Sequence, residues 1–303
     1  MRIVSLLPSC TEIVCALGCA EQLVGRSHEC DFPPKIQSIP VCTSARLDAA
    51  ASSSEINGQI KSLLERALSI YEIDTARLQE LRPDVILTQA QCEVCAVSLA
   101  DLEKALPQTL ARRAKIISVS PLRLANVWAD IQTIADALDV SDGGRALLLQ
   151  LKNRVVDVIL KTCMIKKRPS VACVEWFEPL MAAGNWVPEM VELAGGHDIL
   201  GQPGRHSAWL EWNNLAQADP DFIVLMPCGF GLERARREAA ALERRPEWSK
   251  LRAVKSDKVF VTDGNHYFNR PGPRVVESIE ILAEILQPKL FSFGHENNGW
   301  ARQ

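Results

Sequence analysis

The sequence predicts an α/β protein of two lobes, each built around a parallel sheet, and three observations carry this. Short apolar runs alternate with amphipathic stretches along most of the 303 residues, the order that produces parallel strands with both faces covered. The alternation breaks at greatest length over residues 121–165, where two long helical patterns follow one another. Finally, the helix-to-strand junction "ARLQELRPDVILTQA" (76–90) returns in kind as "NNLAQADPDFIVLMP" (213–227). A shared x-Pro-Asp ahead of an apolar strand suggests two similarly wound units.

Taken in order, "RIVSLL" (2–7) reads as a buried strand and "PSCTEIVCALG" as its helix. Ser9 and Glu12 have the spacing of a capping box, and Gly18 is a fitting stop. "QLVGRS" (22–27) and "SIPVCT" (38–43) are the next two strands. Ile56, Ile60, Leu63, Leu64 and Ala67 share one helical face within 55–71. "DTARLQEL" is a further helix leading to the strand "VILTQ", and "AKIISVS" (114–120) closes the first lobe. Residues 121–139 form one amphipathic helix and 142–165 another. "SVACVEWFE" opens the second lobe, "DKVFVTD" is a late strand, and "PGPRVVESIEILAEIL" is the last helix before a loose tail at 291–303.

Net charge is −3 with no basic block, which argues against nucleic acid or an anionic membrane surface as the main partner. Apolar runs fall short of the roughly 20 residues of a bilayer span. "MRIVSLLPS" enters the first strand directly; if Met1 is the natural start, the protein is expected in a reducing cytoplasm, its ten cysteines thiols or ligands. Phosphate loops, G-x-S-x-G elbows and H-E-x-x-H helices are absent.

The elements "RIVSLLPSCTEIVCALG", "VGRSHECDFPP", "LRPDVILTQ", "ADPDFIVL" and "RPGPRVVESIEILAEIL" together resemble the solute-binding proteins of vitamin B12 and iron-siderophore ABC importers. The resemblance covers roughly residues 1 to 290. It implies two Rossmann-like lobes, 1–120 and 140–290, joined by a single long helix at 121–139, with the ligand between the lobes. Such proteins dock on permease arginines through an acidic residue on each lobe. The matching positions here are Ala76 and Asn213, which cannot accept an arginine bidentately, although Asp74 or Glu211 compensates with a shift of register. Docking to a permease is therefore doubtful on the sequence.

In parallel α/β sheets, ligands bind beyond the carboxyl ends of the strands. Cys10, His28, Cys30, Cys92 and Cys95 follow predicted strands of the first lobe, and Cys42 ends one. Four thiolates from Cys10, Cys30, Cys92 and Cys95, with His28 or Cys42 in reserve, would hold zinc or an iron–sulfur cluster. Cys10, in a helix's first turn, is expected to have a lowered pKa. A redox pair at Cys92 and Cys95 is a further alternative. Cys15, Cys19, Cys163 and Cys173 read as apolar fillers. In the second lobe, Trp176, Phe177 and Trp186 form an expected aromatic wall, with Glu178 beside it. "DGNHYFNRPGP" brings His266, Tyr267 and Arg270 toward the same cleft, while Trp209, Trp212 and Trp248 read as core. The functional expectation is a cytoplasmic binder of a corrinoid or another metal-bearing small molecule; the alternative is a metal- or iron–sulfur-containing enzyme or redox protein.

Overall fold

A computed structural model of the chain describes residues 1–66, 69–90, 99–106 and 112–303. They divide into two compact units, one of residues 1–51, 55–121 and 125–150, the other of 52–54, 122–124 and 151–303.

The first unit holds β1 (Ile3–Ser5), α1 (Pro8–Ala16), β2 (Leu23–Arg26), β3 (Thr43–Ala45), α2 (Ser53–Glu65), β4 (Tyr71–Ile73), α3 (Thr75–Leu81), β5 (Val85–Gln89), α4 (Leu99–Ala105), β6 (Lys115–Val119) and α5 (Leu124–Ala137). A four-stranded parallel sheet runs in the order β2-β1-β5-β6. The third predicted strand does not join it. Its segment makes a single parallel bridge, Val41 to Arg26, then pairs antiparallel as β3 with β4. The core packs Val4, Leu6, Ile86, Leu78 and Leu102 together. Helix α1 starts at Pro8, with Leu7 as N-cap and no side-chain cap. The Ser9–Glu12 capping box therefore does not form; a proline suits the first helical position and sets the start two residues earlier, with Leu7 and not Ser9 as N-cap. Gly18 does end the helix, in the left-handed region at φ +78°.

Helix α6 (Ser141–Thr162) carries the chain from one unit to the other, the division falling after Gln150. The expected joining segment, 121–139, forms α5, most of which groups with the first unit. The second unit adds β7 (Ser170–Trp176), β8 (Met181–Ala182), α7 (Val187–Leu193), β9 (His197–Asp198), β10 (Ala208–Trp209), α8 (Trp212–Ala218), β11 (Phe222–Leu225), α9 (Leu232–Glu243), α10 (Arg252–Lys255), β12 (Val259–Thr262), α11 (Val275–Leu286) and β13 (Trp300–Arg302). Strands β7, β11 and β12 are parallel neighbours at the centre of this sheet, extended by antiparallel β8, β10 and β13.

The final segment is not a loose tail. Strand β13 pairs with β12, and buried Glu284 accepts the backbone N–H groups of Phe293, Gly294 and His295 together with Trp300 Nε1. Sequence composition at 291–303 is polar and glycine-bearing, and a carboxylate ten residues upstream gives no local signal that it will bind this stretch.

Each unit builds its central strand in the same way. Helix α3 is capped by Asp74 and ends at Arg82 in the left-handed region, φ 45°. Helix α8 is capped by Glu211 and ends at Asp219, φ 39°. After the proline, Asp84 accepts the N–H of Arg2 at 2.8 Å, just ahead of β1. Asp221 likewise accepts the N–H of Ser170 at 2.9 Å, at the start of β7. The Pro-Asp pair thus stops a helix and pins the edge of the neighbouring strand.

Candidate functional site

Because β1, β2, β5 and β6 are parallel, the residues following them lie along one edge of the first unit's sheet. Arg26, the last residue of β2, organises the loop that follows: its guanidinium donates to the carbonyls of Ser27, Cys30, Gln37 and Ile39 at 3.0 to 3.2 Å. This fastening was not legible in the sequence, since an arginine ending a strand reads as a solvated charge. Within the loop the Oγ1 of Thr43 accepts the N–H of His28 at 3.1 Å and stands 2.8 Å from His28 Nδ1. Burial, then the Arg26 charge, hold the His28 imidazole below its ordinary pKa. Tyr71 packs at a tilt against His28, ring centroids 5.8 Å apart, and donates its hydroxyl to Glu29 at 3.2 Å.

The thiols behave differently from the expectation. Cys10, Cys30 and Cys42 are all buried. Cys30 Sγ accepts from the Thr11 hydroxyl at 3.0 Å, and Thr11 also bonds Ser5 Oγ at 2.8 Å. Cys10 and Cys30 lie close enough to raise the Cys10 thiol electrostatically, but burial is the larger cause, with Asp130 next. The lowered pKa expected of Cys10 is therefore reversed, because removing a thiolate from water outweighs the helix dipole. Cys42 precedes β3 instead of ending a strand of the main sheet; it sits in the apolar core, with its thiol pushed up to about 11 by burial. A Cβ added to Gly25 would lie 2.7 Å from its sulfur, so a glycine is what admits it there. Cys92 and Cys95 lie outside the described residues. Among the described residues no group of three or more histidine, cysteine, aspartate or glutamate side chains is placed to hold a metal ion. Cys19 and Cys173 are buried as expected of fillers, but Cys163 is exposed.

The second unit presents a different edge. Trp176 closes β7, half-buried, with its ring 5.2 Å from that of Phe230. The Arg234 guanidinium lies 3.7 Å from the Phe230 ring centroid, a close cation–π arrangement. The loop after β12 supplies Asp263, which accepts the N–H of His266 at 2.8 Å and meets His266 Nδ1 at 2.8 Å. Tyr267 stands edge-on to His266, centroids 6.5 Å apart. Arg270 is buried, with Nη2 donating to Asn265 Oδ1 at 3.1 Å. The loops after β11 and β12 touch so closely that a Cβ on Gly264 would lie 2.1 Å from Pro227 O.

The predicted aromatic wall is only partly there. Phe177 and Trp186 are buried core residues, Trp186 donating Nε1 to Phe268 O at 2.8 Å. The side chain of a residue after a strand alternates between faces, so Phe177 points inward where Trp176 does not. Glu178 is exposed, and its carbonyl accepts Trp176 Nε1 at 3.1 Å. Trp209, expected in the core, is exposed, whereas Trp248 is buried. Three residues were missed altogether: Phe230, Arg234 and Asp263. Asp263 was findable, since an acid three residues before a histidine in a loop is a common turn. Glu175, next to Trp176, accepts the Ser207 hydroxyl at 2.7 Å, and burial raises its carboxyl to about 7.

Two sheets with strand-end loops that carry the polar and aromatic groups define a solute-binding architecture, and the chain belongs to the periplasmic binding protein family, whose sequence pattern matches residues 3–265. Among its relatives is the uncharacterised ABC transporter substrate-binding lipoprotein YvrC of Bacillus subtilis, 23% identical over 96% of this chain and 81% of that one. The vitamin B12-binding protein of Vibrio cholerae is 22% identical over 94% and 89%. In fold, the chain is similar to a periplasmic heme-binding protein from Pseudomonas aeruginosa, with a TM-score of 0.71, 20% identity and coverage of 95% and 92%. The periplasmic vitamin B12-binding protein of Vibrio cholerae gives a TM-score of 0.65 at 18% identity, covering 95% and 96%. The chain is thus a member of the class of small-molecule binders to which the B12- and heme-binding proteins belong.

Proposed function

We propose that this protein binds a flat, metal-bearing macrocycle, a corrinoid first and a heme second, through the strand-end loops of its sheets. The observation that carries the reading is the edge of the second unit: half-buried Trp176 stands against buried Phe230, whose ring carries the Arg234 guanidinium, and the Phe230 carbonyl accepts the N–H of Asn265, next to a histidine braced by Asp263. Aromatic faces suit a planar ligand. Arginine suits the acid or amide substituents of such rings. A carboxylate on Nδ1 is the arrangement that orients a metal-ligating imidazole, so His266 is the candidate axial ligand. The B12- and heme-binding relatives support the same ligand class.

Titration of the purified protein with hydroxocobalamin and, separately, with hemin tests this. Saturable one-to-one binding with a spectral shift is expected for the true ligand, and His266→Ala should change the spectrum of the complex. No spectral change and no heat of binding with either compound would end the proposal.

The location we propose is the cytoplasm, supported by eight described cysteines that are all free thiols. Fractionation of the native host checks it; recovery in an exported or membrane fraction overturns it. A second reading, service to a permease, is favoured by one observation: Asp74 and Glu211 cap equivalent helices in the two units. These two acids, and not Ala76 or Asn213, would be the docking residues. Reversing both charges would then abolish uptake of the ligand by whole cells.

A further inference from the structure

Helix α6 buries Leu151, Val155, Val158 and Thr162 on one side and leaves a line of apolar residues uncovered on the other. Leu149 is 64% exposed, Val156 46% and Leu160 64%. At 100° per residue these three fall within an arc of roughly 40°. The stripe has a seven-residue repeat: Leu149, Val156 and Cys163 form one line, and Ala146, Asn153 and Leu160, also exposed, form the alternate one. That is the pattern of a coiled-coil seam, with a single asparagine among its core positions. Cys163 lies one residue past the helix, its N–H still donating to Ile159 O at 2.8 Å.

We infer that this face is a two-fold interface with a second copy of the same chain, the two α6 helices packing in parallel. The occupant follows from charge. Lys152 flanks the stripe on one side and Asp157 on the other, both exposed. In a parallel pair, the residue on one flank meets the residue five further along on the opposite flank of the partner. Lys152 then meets Asp157 of the second copy, twice by symmetry. An antiparallel pair would bring like flanks together, lysine near lysine and aspartate near aspartate, which opposes it. A lone asparagine in such a seam pairs with itself across the two-fold and fixes register at some cost in stability. The stripe is short. Its area falls below the ~1,200 Å² total of a standard stable interface, so the dimer is weak and depends on concentration.

Parallel symmetry also places Cys163 opposite its own copy, where helices 8–10 Å apart bring the Cα atoms toward the ~4.4–6.8 Å that a disulfide spans. The experiment is sedimentation equilibrium of the full chain combined with diamide treatment, the diamide accepting the two electrons and two protons released as two Cys163 thiols join. A concentration-dependent dimer is expected, along with a covalent dimer that Cys163→Ser abolishes. Leu160→Arg should weaken association at least about tenfold. Lys152→Glu should weaken it roughly threefold to tenfold, and Lys152→Glu with Asp157→Lys should restore it. Circular dichroism of each variant separates lost association from lost folding. A monomer at all concentrations overturns the inference. So does a dimer in which Cys163 does not cross-link, since an antiparallel arrangement holds the two sulfurs about 25 Å apart, and so does a charge reversal that the double variant fails to rescue.

Discussion

The two units begin their central strands with the same device and end them with different chemistry. In both, an acid-capped helix stops at a left-handed residue, and a Pro-Asp aspartate pins the adjoining strand. Beyond the strands, the first unit offers thiols and hydroxyls folded inward: Cys10, Cys30, Thr11 and Ser5 are all buried. The second offers Trp176, His266 and Arg234 on elements that reach solvent. A strand-end loop is therefore a place, not a chemistry. Topology collects residues at one edge, and burial then decides whether they are available to a ligand.

The sharpest way to break this contrast is to truncate the aromatics assigned to the core. Phe177→Ala and Trp186→Ala are each expected to cost about 3–5 kcal/mol of stability, read as a lowered urea midpoint. Trp176→Ala, next to Phe177, should cost far less and instead weaken ligand binding. If Phe177→Ala left stability intact and only binding suffered, Phe177 would belong to the site after all. In the first unit, Thr11→Val removes the bonds to Ser5 and Cys30 and is expected to cost about 1–2 kcal/mol, with little effect on ligand affinity.

A finer comparison lies in two partly buried acids. Burial raises Glu175 of the second unit to about 7 and Asp130 of the first to about 6. Among the described residues Asp130 Oδ2 has no hydrogen-bond partner, whereas Glu175 accepts the Ser207 hydroxyl. A carboxyl whose folded pKa is raised holds its proton more tightly in the native state than when unfolded. Stability is then full below the ordinary carboxylate value, near 4, and is lost as pH rises toward 6 and 7. Glu175→Gln keeps an acceptor for Ser207 and removes the proton, so its stability should be flatter from pH 4.5 to 7. The difference from wild type at pH 8 is expected on the order of 1–3 kcal/mol. Asp130→Asn should flatten a narrower window, ending near pH 6. Denaturant midpoints across that range check both, and a wild-type curve without the decline would refute the raised pKa values.

How much of this was legible in the sequence differs by level. The alternation of strands and helices was, because period and punctuation are local properties; the Pro-Asp junction at 83–84 and 220–221 declared itself twice. The site was legible only as a neighbourhood. His28, Trp176 and His266 fall at strand ends as their positions indicate, yet no pattern distinguishes Trp176 from the buried Phe177 beside it. Cys10 shows why. Its place in the first helical turn predicts a lowered pKa, but the apolar packing that raises it comes from residues distant in sequence. The same holds for the last thirteen residues, whose order depends on Glu284 reaching across to them. Exposure of Cys163 was hidden for the converse reason, as nothing local says which face of a long helix stays uncovered.

The smallest expected effect concerns the shared junction itself. Asp84 is held below the ordinary carboxylate range chiefly by the Arg2 backbone N–H, and Asp221 chiefly by that of Ser170. Asp221 has more around it: the Ser170 hydroxyl at 2.9 Å and the Arg252 guanidinium at 2.8 Å. Asp84 has a longer ion pair, to Arg113 at 3.5 Å. A carboxyl with a depressed folded pKa stabilises above its ordinary value and loses that contribution as pH falls through the folded one. Both aspartates should therefore steepen the loss of stability below about pH 4. Replacing either by asparagine keeps the acceptor and removes the charge, so each variant should show a shallower acid limb. The Asp221 side chain is partly exposed and screened, which limits its share to roughly a few tenths of a kcal/mol, and Asp84→Asn should do less still. Circular dichroism melts from pH 5 to pH 2.5, with Ser170→Ala as a variant that weakens Asp221 alone, order the two. An Asp84→Asn effect larger than that of Asp221→Asn would show that the matching backbones conceal unequal anchors, with the first unit relying on its junction more than the second.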